Sequence, residues 1–294
     1  TQTMIEHIQR QQPKAGDIKK EAITLKPDKT LYEARNTLFI YNISRIVIAK
    51  DNKPLGIVTE KDIAWYLYTE IPNRRLDQVG LNEIMSKNLI TVGEHEDLQV
   101  CAKLMLENKI SSILVVDNNK QELKGIITKS DLVNTYATYY KDRYSVEEYM
   151  TEEVLTLAPD EPIHMVLLLM INNKVSRIVV VRDEKPIGII TGRDLLPISA
   201  LFMTAAYAVY WRTREDLIAL RKEQKFLPSG IKNIFLAREI MKHNPIIVTR
   251  DTDLAEAAQI MSNNRISGLP VVNSVDNLVG IVTRTDITKA LVAS

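Results

Sequence analysis

At 294 residues, 45% hydrophobic and 26% charged, the chain has room for two ordinary globular domains with apolar cores. Thirty-eight Lys and Arg against 37 Asp and Glu leave a formal net charge of +1, which gives no overall field for holding nucleic acid or an anionic membrane. A single cysteine excludes an internal disulfide, and four histidines without a close His/Cys cluster offer no zinc-ligand spacing, so no metal site is expected.

Residues 1–20 are polar and lack the apolar stretch of a secretory signal, so a cytoplasmic protein is the expectation. One plan then appears four times. A short segment with Thr24, Thr91 or Thr156 reads as a first strand, and Ile247 takes that place in the fourth copy. A helix opens at Leu31, Leu98, Ile163 and Leu254, and 98–108 puts Leu98, Cys101, Ala102, Met105 and Leu106 on one face. Cys101 among these residues reads as a buried, inert thiol. Thirteen residues after each helix start comes a serine, Ser44, Ser111, Ser176 or Ser267, and then an apolar β-branched strand such as 46–49 or 178–181.

A hairpin and a closing motif follow: GIVTEKD at 56–62, GIITKSD at 125–131, GIITGRD at 188–194 and GIVTRTD at 280–286. The serine-to-threonine interval is 15, 17, 15 and 16 residues, and the variation falls in Asp- and Asn-rich turns, where length changes cost little. Each motif threonine is a good N-cap for a closing helix. Capping accounts less well for four aspartates at the third position, where Glu or Gln better suits a capping box.

Successive motif glycines lie 69, 63 and 92 residues apart, so the last step carries an insertion. Its uncharged run at 195–211, 17 residues long, is interrupted by Pro197, Ser199 and Thr204 and is at the short limit for a membrane span. The expectation is a helix packed between repeats, with the 195–225 segment an alternative seat for a regulated protein or a second copy. Tyr136, Tyr139, Tyr140, Tyr144 and Tyr149, between the second and third copies, read as packing rather than base stacking. The divisions are 16–70, 83–138, 148–200, the helical insertion 201–237, and 238–294.

Four such motifs in fixed register resemble the CBS (cystathionine-β-synthase) domain, over roughly 16–291. The layout is similar to the γ regulatory subunit of AMP-activated kinase and to stand-alone CBS proteins of prokaryotes. The resemblance implies an α/β fold of four βαββα repeats paired into two pseudo-symmetric modules that form a disc. It also implies that Asp62, Asp131, Asp194 and Asp286 accept hydrogen bonds from ribose hydroxyls, a task for which a carboxylate offers two acceptor oxygens. Thr59, Thr128, Thr191 and Thr283 would face phosphates at helix starts, and Thr24, Thr91 and Thr156 would contribute from the first strands. Arg45, Arg177, Lys61 and Arg193 flank the serines and aspartates of copies one and three, where copies two and four carry Ser112, Gly268, Ser130 and Thr285. The expectation is that they grip phosphates, with Arg177 serving the Asp194 site.

The implied function is a regulatory sensor of AMP, ADP or ATP, with no catalytic cofactor and no enzymatic role. S-adenosylmethionine, a cyclic dinucleotide, or a scaffold that docks a partner through the inserted helix are the alternatives. No nucleic acid partner and no membrane span are expected.

Overall fold

The computed structural model describes residues 12–69, 74–119, 121–194 and 236–294. The insertion at 195–235, with its expected helix and docking segment, therefore lies outside the described residues.

Repeat 1 consists of β1 (Thr24–Leu25), α2 (Leu31–Ile40), β2 (Arg45–Lys50), β3 (Lys53–Thr59) and α3 (Glu60–Thr69), preceded by a one-turn α1 (Ala15–Ile18). Repeat 2 follows a second short turn, α4 (Leu81–Ile84), as β4 (Thr91–Val92), α5 (Leu98–Glu107), β5 (Ser112–Val116), β6 (Leu123–Thr128) and α6 (Lys129–Tyr139). Repeat 3 contributes β7 (Thr156–Leu157), α7 (Ile163–Asn173), β8 (Arg177–Arg182) and β9 (Lys185–Thr191). Repeat 4 follows an arm of α8 (Ala237–Ile240) and β10 (Lys242–His243) as β11 (Val248–Thr249), α9 (Leu254–Asn263), β12 (Gly268–Val272), β13 (Leu278–Thr283) and α10 (Arg284–Val292).

In every repeat the first strand runs parallel to the second, and the second pairs antiparallel with the third. The central strands β5 and β12 are buried along their whole length, in keeping with their apolar sequences. The odd hairpins turn on two residues, Asp51 and Asn52 (φ 50° and 58°) or Asp183 and Glu184 (φ 51° and 64°). Two successive positive φ values define the tight hairpin turn that matches strand twist, so the odd copies share the 15-residue interval. Each odd hairpin bonds its even neighbour: Asn52 O accepts from Leu123 N at 2.9 Å, and Glu184 O from Leu278 N at 2.8 Å. These equivalent bonds make repeats 1 and 2 one module and repeats 3 and 4 the other.

The short arms before each repeat pack on the module partner rather than on the repeat they precede. Lys20 bridges to Ile126, Ser86 to Ile57, Thr151 to Ile281, and Lys242 to Ile189. A Cβ on Gly56 or Gly188 would collide with the arm residues Met85 and Met241, so the motif glycine is needed for close approach of the arm. Ala15 and Val146, from two of these arms, join the core of repeats 2 and 4.

That core is shared. Cys101, Met105, Leu132 and Tyr136 of repeat 2 form one cluster with Leu254, Met261, Ile287 and Leu291 of repeat 4. Contacts of α6 with α9 and of α5 and α6 with α10 build it. Among the described residues, repeats 1 and 3 keep separate cores around Leu31, Ile46 and Ile63 and around Ile163, Val166 and Ile178. Cys101 is fully buried, and desolvation pushes its thiol up to about 12, an inert thiol as expected. The linker tyrosines pack on one another: Tyr136 stacks on Tyr140 and Tyr144 meets Tyr149 edge-on, both with centroids 5.1 Å apart. Among the described residues no helix is long and apolar enough to cross a membrane, and no group of His, Cys, Asp or Glu has metal-ligand geometry.

Candidate functional site

The Thr-x-x-Asp turns have one geometry. Oδ2 of Asp62, Asp131, Asp194 and Asp286 accepts from the backbone N–H of Thr59, Thr128, Thr191 and Thr283 at 2.7, 2.8, 2.8 and 2.9 Å. The same oxygen accepts from the threonine hydroxyl at 2.7, 2.7, 2.6 and 2.8 Å. The aspartate therefore caps each closing helix, and the expectation that capping explains it poorly is corrected. A shorter carboxylate reaches the N-cap amide because the extended threonine brings it close.

Capping does not exhaust the group. An ionised carboxylate has about four acceptor positions. The cap fills two of them on Oδ2, and Oδ1, with room for the two donors of a cis-diol, meets a lysine ammonium in repeats 2, 3 and 4. The Asp131 and Asp286 side chains are only 4% and 3% exposed, which makes an additional hydrogen-bond donor at Oδ1 valuable.

Arg45 and Arg177 reach into the partner repeat of their module. Arg45 of repeat 1 donates to Ser111 Oγ of repeat 2 at 3.0 Å. Arg177 of repeat 3 donates to the Ser267 carbonyl of repeat 4 and to Ser176 Oγ at 3.3 Å. Desolvation brings each guanidinium down to about 10; Glu60 and Asp131 oppose that at Arg45, and Asp286 opposes it at Arg177. Arg177 thus belongs with Asp286 rather than with Asp194. Its Nε is buried without a hydrogen-bond partner, so the side chain retains an unused donor.

Two further cations, Lys129 and Arg284, complete the pattern. Each directly follows a motif threonine in an even repeat. Lys129 donates to Thr285 Oγ1 across the modules at 3.2 Å. Its ammonium is held down by burial and by Lys61, Arg177 and Arg45, while Asp286 draws it up. Arg284 is likewise lowered by burial and drawn up by Asp131. Asp131 therefore lies within electrostatic reach of Arg45 and Arg284, and Asp286 within reach of Arg177 and Lys129. Each even carboxylate receives cations from its module partner and from the opposite module. The signal was in the motifs themselves: the position after threonine reads Glu60, Lys129, Gly192, Arg284, basic in the even copies.

The odd side is arranged differently. Arg193 of repeat 3 pairs with Glu60 of repeat 1 at 3.1 Å, so this cation is already matched. Burial raises the Glu60 carboxyl's pKa; Arg193 opposes that shift and Asp194 reinforces it. Lys61 is exposed and lies near Lys129 rather than beside a carboxylate partner.

Thr24, Thr91 and Thr156 are exposed on their first strands. They pair with the third residue after each serine, Val47, Leu114 and Val179. Val248 pairs with Val271, one residue further on, which confirms that the 40% exposed Ile247 stands in their place. Thr91 lines a cavity of about 350 Å³ with Val92, Gly93, His95, Asn118 and Gln121, to which Asp131 does not contribute.

The sequence profile of the CBS domain matches residues 15–69, 81–138, 146–200 and 237–293. The chain belongs to the CBS domain family. It is similar to the uncharacterized protein MJ1225 of Methanocaldococcus jannaschii, 26% identical over 283 residues that cover 92% of this chain and 95% of the relative. The crystal structure of MJ1225, described as a proposed archaeal homologue of γ-AMPK, superposes with a TM-score of 0.74 at 24% identity, over 94% of this chain and 99% of the other. A conserved protein of Pyrococcus horikoshii superposes with a TM-score of 0.63 at 20% identity, over 95% and 99% of the two chains. Both structures share the fold of this chain over nearly its whole length.

Proposed function

We propose that this chain is a regulatory adenine-nucleotide sensor that takes AMP, ADP or ATP in the clefts of repeats 2 and 4 and catalyses nothing. One arrangement carries the reading: Asp131 and Asp286, both buried, lie within electrostatic reach of cations from two other repeats, and Lys129 bonds Thr285, next to Asp286, across the modules. In each even cleft Oδ1, held by Lys20 or Lys289, accepts the ribose diol when that lysine gives way. Arg45 with Arg284, or Arg177 with Lys129, then meets the phosphates, assisted by the helix start at Thr128 or Thr283. The desolvated cations lack full compensation, and an anion supplies it.

The same geometry couples ligand to conformation. Arg284 and Lys129 each reach toward a carboxylate of the opposite module, so a bound phosphate ties the two modules together. Binding shifts their packing by as much as the nucleotide's affinity differs between the two arrangements. An odd cleft suits a ligand with no phosphate: Glu60 beside Asp194 disfavours added negative charge and fits an adenosyl compound such as S-adenosylmethionine.

Thermal unfolding with adenosine, AMP, ADP, ATP and S-adenosylmethionine tests the assignment. A ligand at 100 times its Kd adds about 2.7 kcal/mol. The reading predicts that the phosphorylated adenylates stabilise most and that Asp131→Asn with Asp286→Asn abolishes the effect. A protein stabilised by none of them is a scaffold.

A further inference from the structure

The four motif aspartates differ in what holds their second oxygen. Asp131 Oδ1 is paired with Lys20 Nζ at 2.6 Å, and Asp194 Oδ1 with Lys242 Nζ at 3.6 Å. Neither lysine belongs to the repeat it closes. Lys20 precedes repeat 1 and reaches repeat 2; Lys242 precedes repeat 4 and reaches repeat 3. Both occupy the same place in a crossing arm, two residues away in register from the motif threonine through Ile126 and Ile189. The other two arms carry Ser86 and Thr151 there. Asp286 Oδ1 is paired with Lys289, three residues on in its own helix, at 3.0 Å. Among the described residues no cation pairs with Asp62.

We propose that the arm lysines Lys20 and Lys242 are gates that compete with the ribose diol for Asp131 and Asp194, so that these clefts open only when the lysine is displaced. This rests on the reading of Oδ1 as the ribose acceptor. The asymmetry of the pair supports displacement. Asp131 is 4% exposed and fixed by its cap, whereas the Lys20 side chain is 72% exposed. The lysine can swing into water without losing packing, while the carboxylate cannot follow it. A diol that arrives replaces one charged donor with two neutral ones on a group that must stay satisfied. The arm backbone remains docked through reciprocal bonds, Lys20 N to Ile126 O at 3.0 Å and Ile126 N to Lys20 O at 2.9 Å, so only the side chain moves. The Asp62 cleft has no such gate and Ser86 beside it, so the four clefts respond over different concentration ranges.

The test is calorimetric titration of the full chain with adenosine, which has the diol and no phosphate, and with AMP, comparing wild type, Lys20→Met and Lys20→Arg. A gate predicts that Lys20→Met binds adenosine roughly three- to tenfold more tightly at one site. Lys20→Arg should keep wild-type affinity, and Asp131→Asn added to Lys20→Met should remove the gain. Wild-type binding that Lys20→Met leaves unchanged or weakens overturns the gate. So does a loss of AMP affinity with adenosine unaffected, which would make Lys20 a phosphate ligand. If neither ligand binds any of these proteins, the ribose reading itself fails and the gate with it. Circular dichroism of each variant reports folding separately.

Discussion

Repeats 2 and 4 and repeats 1 and 3 are built from the same plan and meet across the modules in different ways. The even pair shares a core, with Leu132 and Tyr136 packed into the same cluster as Met261 and Leu291. Its two carboxylates face desolvated arginines and a lysine whose charges are not fully matched. The odd pair keeps separate cores among the described residues and meets through the Glu60–Arg193 ion pair. One unit repeated four times has therefore been divided between a half with a shared core and buried cations, proposed above to take phosphate, and a half that matches charge in an ion pair. The position after the threonine differs accordingly: Lys129 and Arg284 stand there in the even copies, and Glu60, paired with Arg193, in the first.

The comparison can be broken most directly in the shared core. Leu132→Ala should cost about 2–5 kcal/mol, from lost burial and the cavity left behind. Because the core spans both modules, denaturant unfolding should lose stability in one transition, and two separated transitions would argue against a shared core. Next come the arginines. Arg177→Met should weaken AMP roughly 10–100-fold, since a charge-assisted contact is worth about 1.5–3 kcal/mol, while adenosine affinity stays within a factor of two or so. A double-mutant cycle sharpens the assignment: Arg177→Met should couple to Asp286→Asn and be additive with Asp194→Asn. Lys129→Met should lower AMP affinity by about tenfold at the Asp286 cleft of the opposite module. The smallest effect belongs to the odd pair, where Glu60→Gln removes a carboxylate that acts on both Arg45 and Arg193 and should raise AMP affinity less than about threefold, the scale of one partly screened charge.

The sequence carried the fold at the level of the repeat. Alternating turn, strand and helix signals fix the βαββα order because each is local: Thr30 and Glu33 form a capping box at the start of α2, and Asp51 with Asn52 turns the hairpin. The odd-copy arginines stood out for the same reason, as cations placed among strand residues. What escaped is whatever depends on the superposition of repeats. The exchanged arms put Lys20 and Lys242 beside carboxylates more than 45 residues away in sequence, and nothing local distinguishes them from solvated lysines. Arg177 bonds the Ser267 carbonyl of repeat 4 and lies within electrostatic reach of Asp286 because a module brings the serine-flanking residue of one copy to its partner. Lys129 and Arg284 stand in the motifs, but nothing local marks them, since their neighbours lie in the opposite module. The aspartates carried two roles at one position, and the capping role became visible only with the hydrogen bonds in place.

The central claim is that Asp131 and Asp286, with cations from both modules, form the adenylate sites. Titration calorimetry with AMP, run side by side on the wild type and on Asp131→Asn/Asp286→Asn, tests it; asparagine keeps an oxygen for the helix cap. The account predicts two AMP equivalents lost together in the double variant, with the odd carboxylates unable to replace them. Undiminished AMP binding by the double variant, or no AMP binding by the wild type, would contradict it.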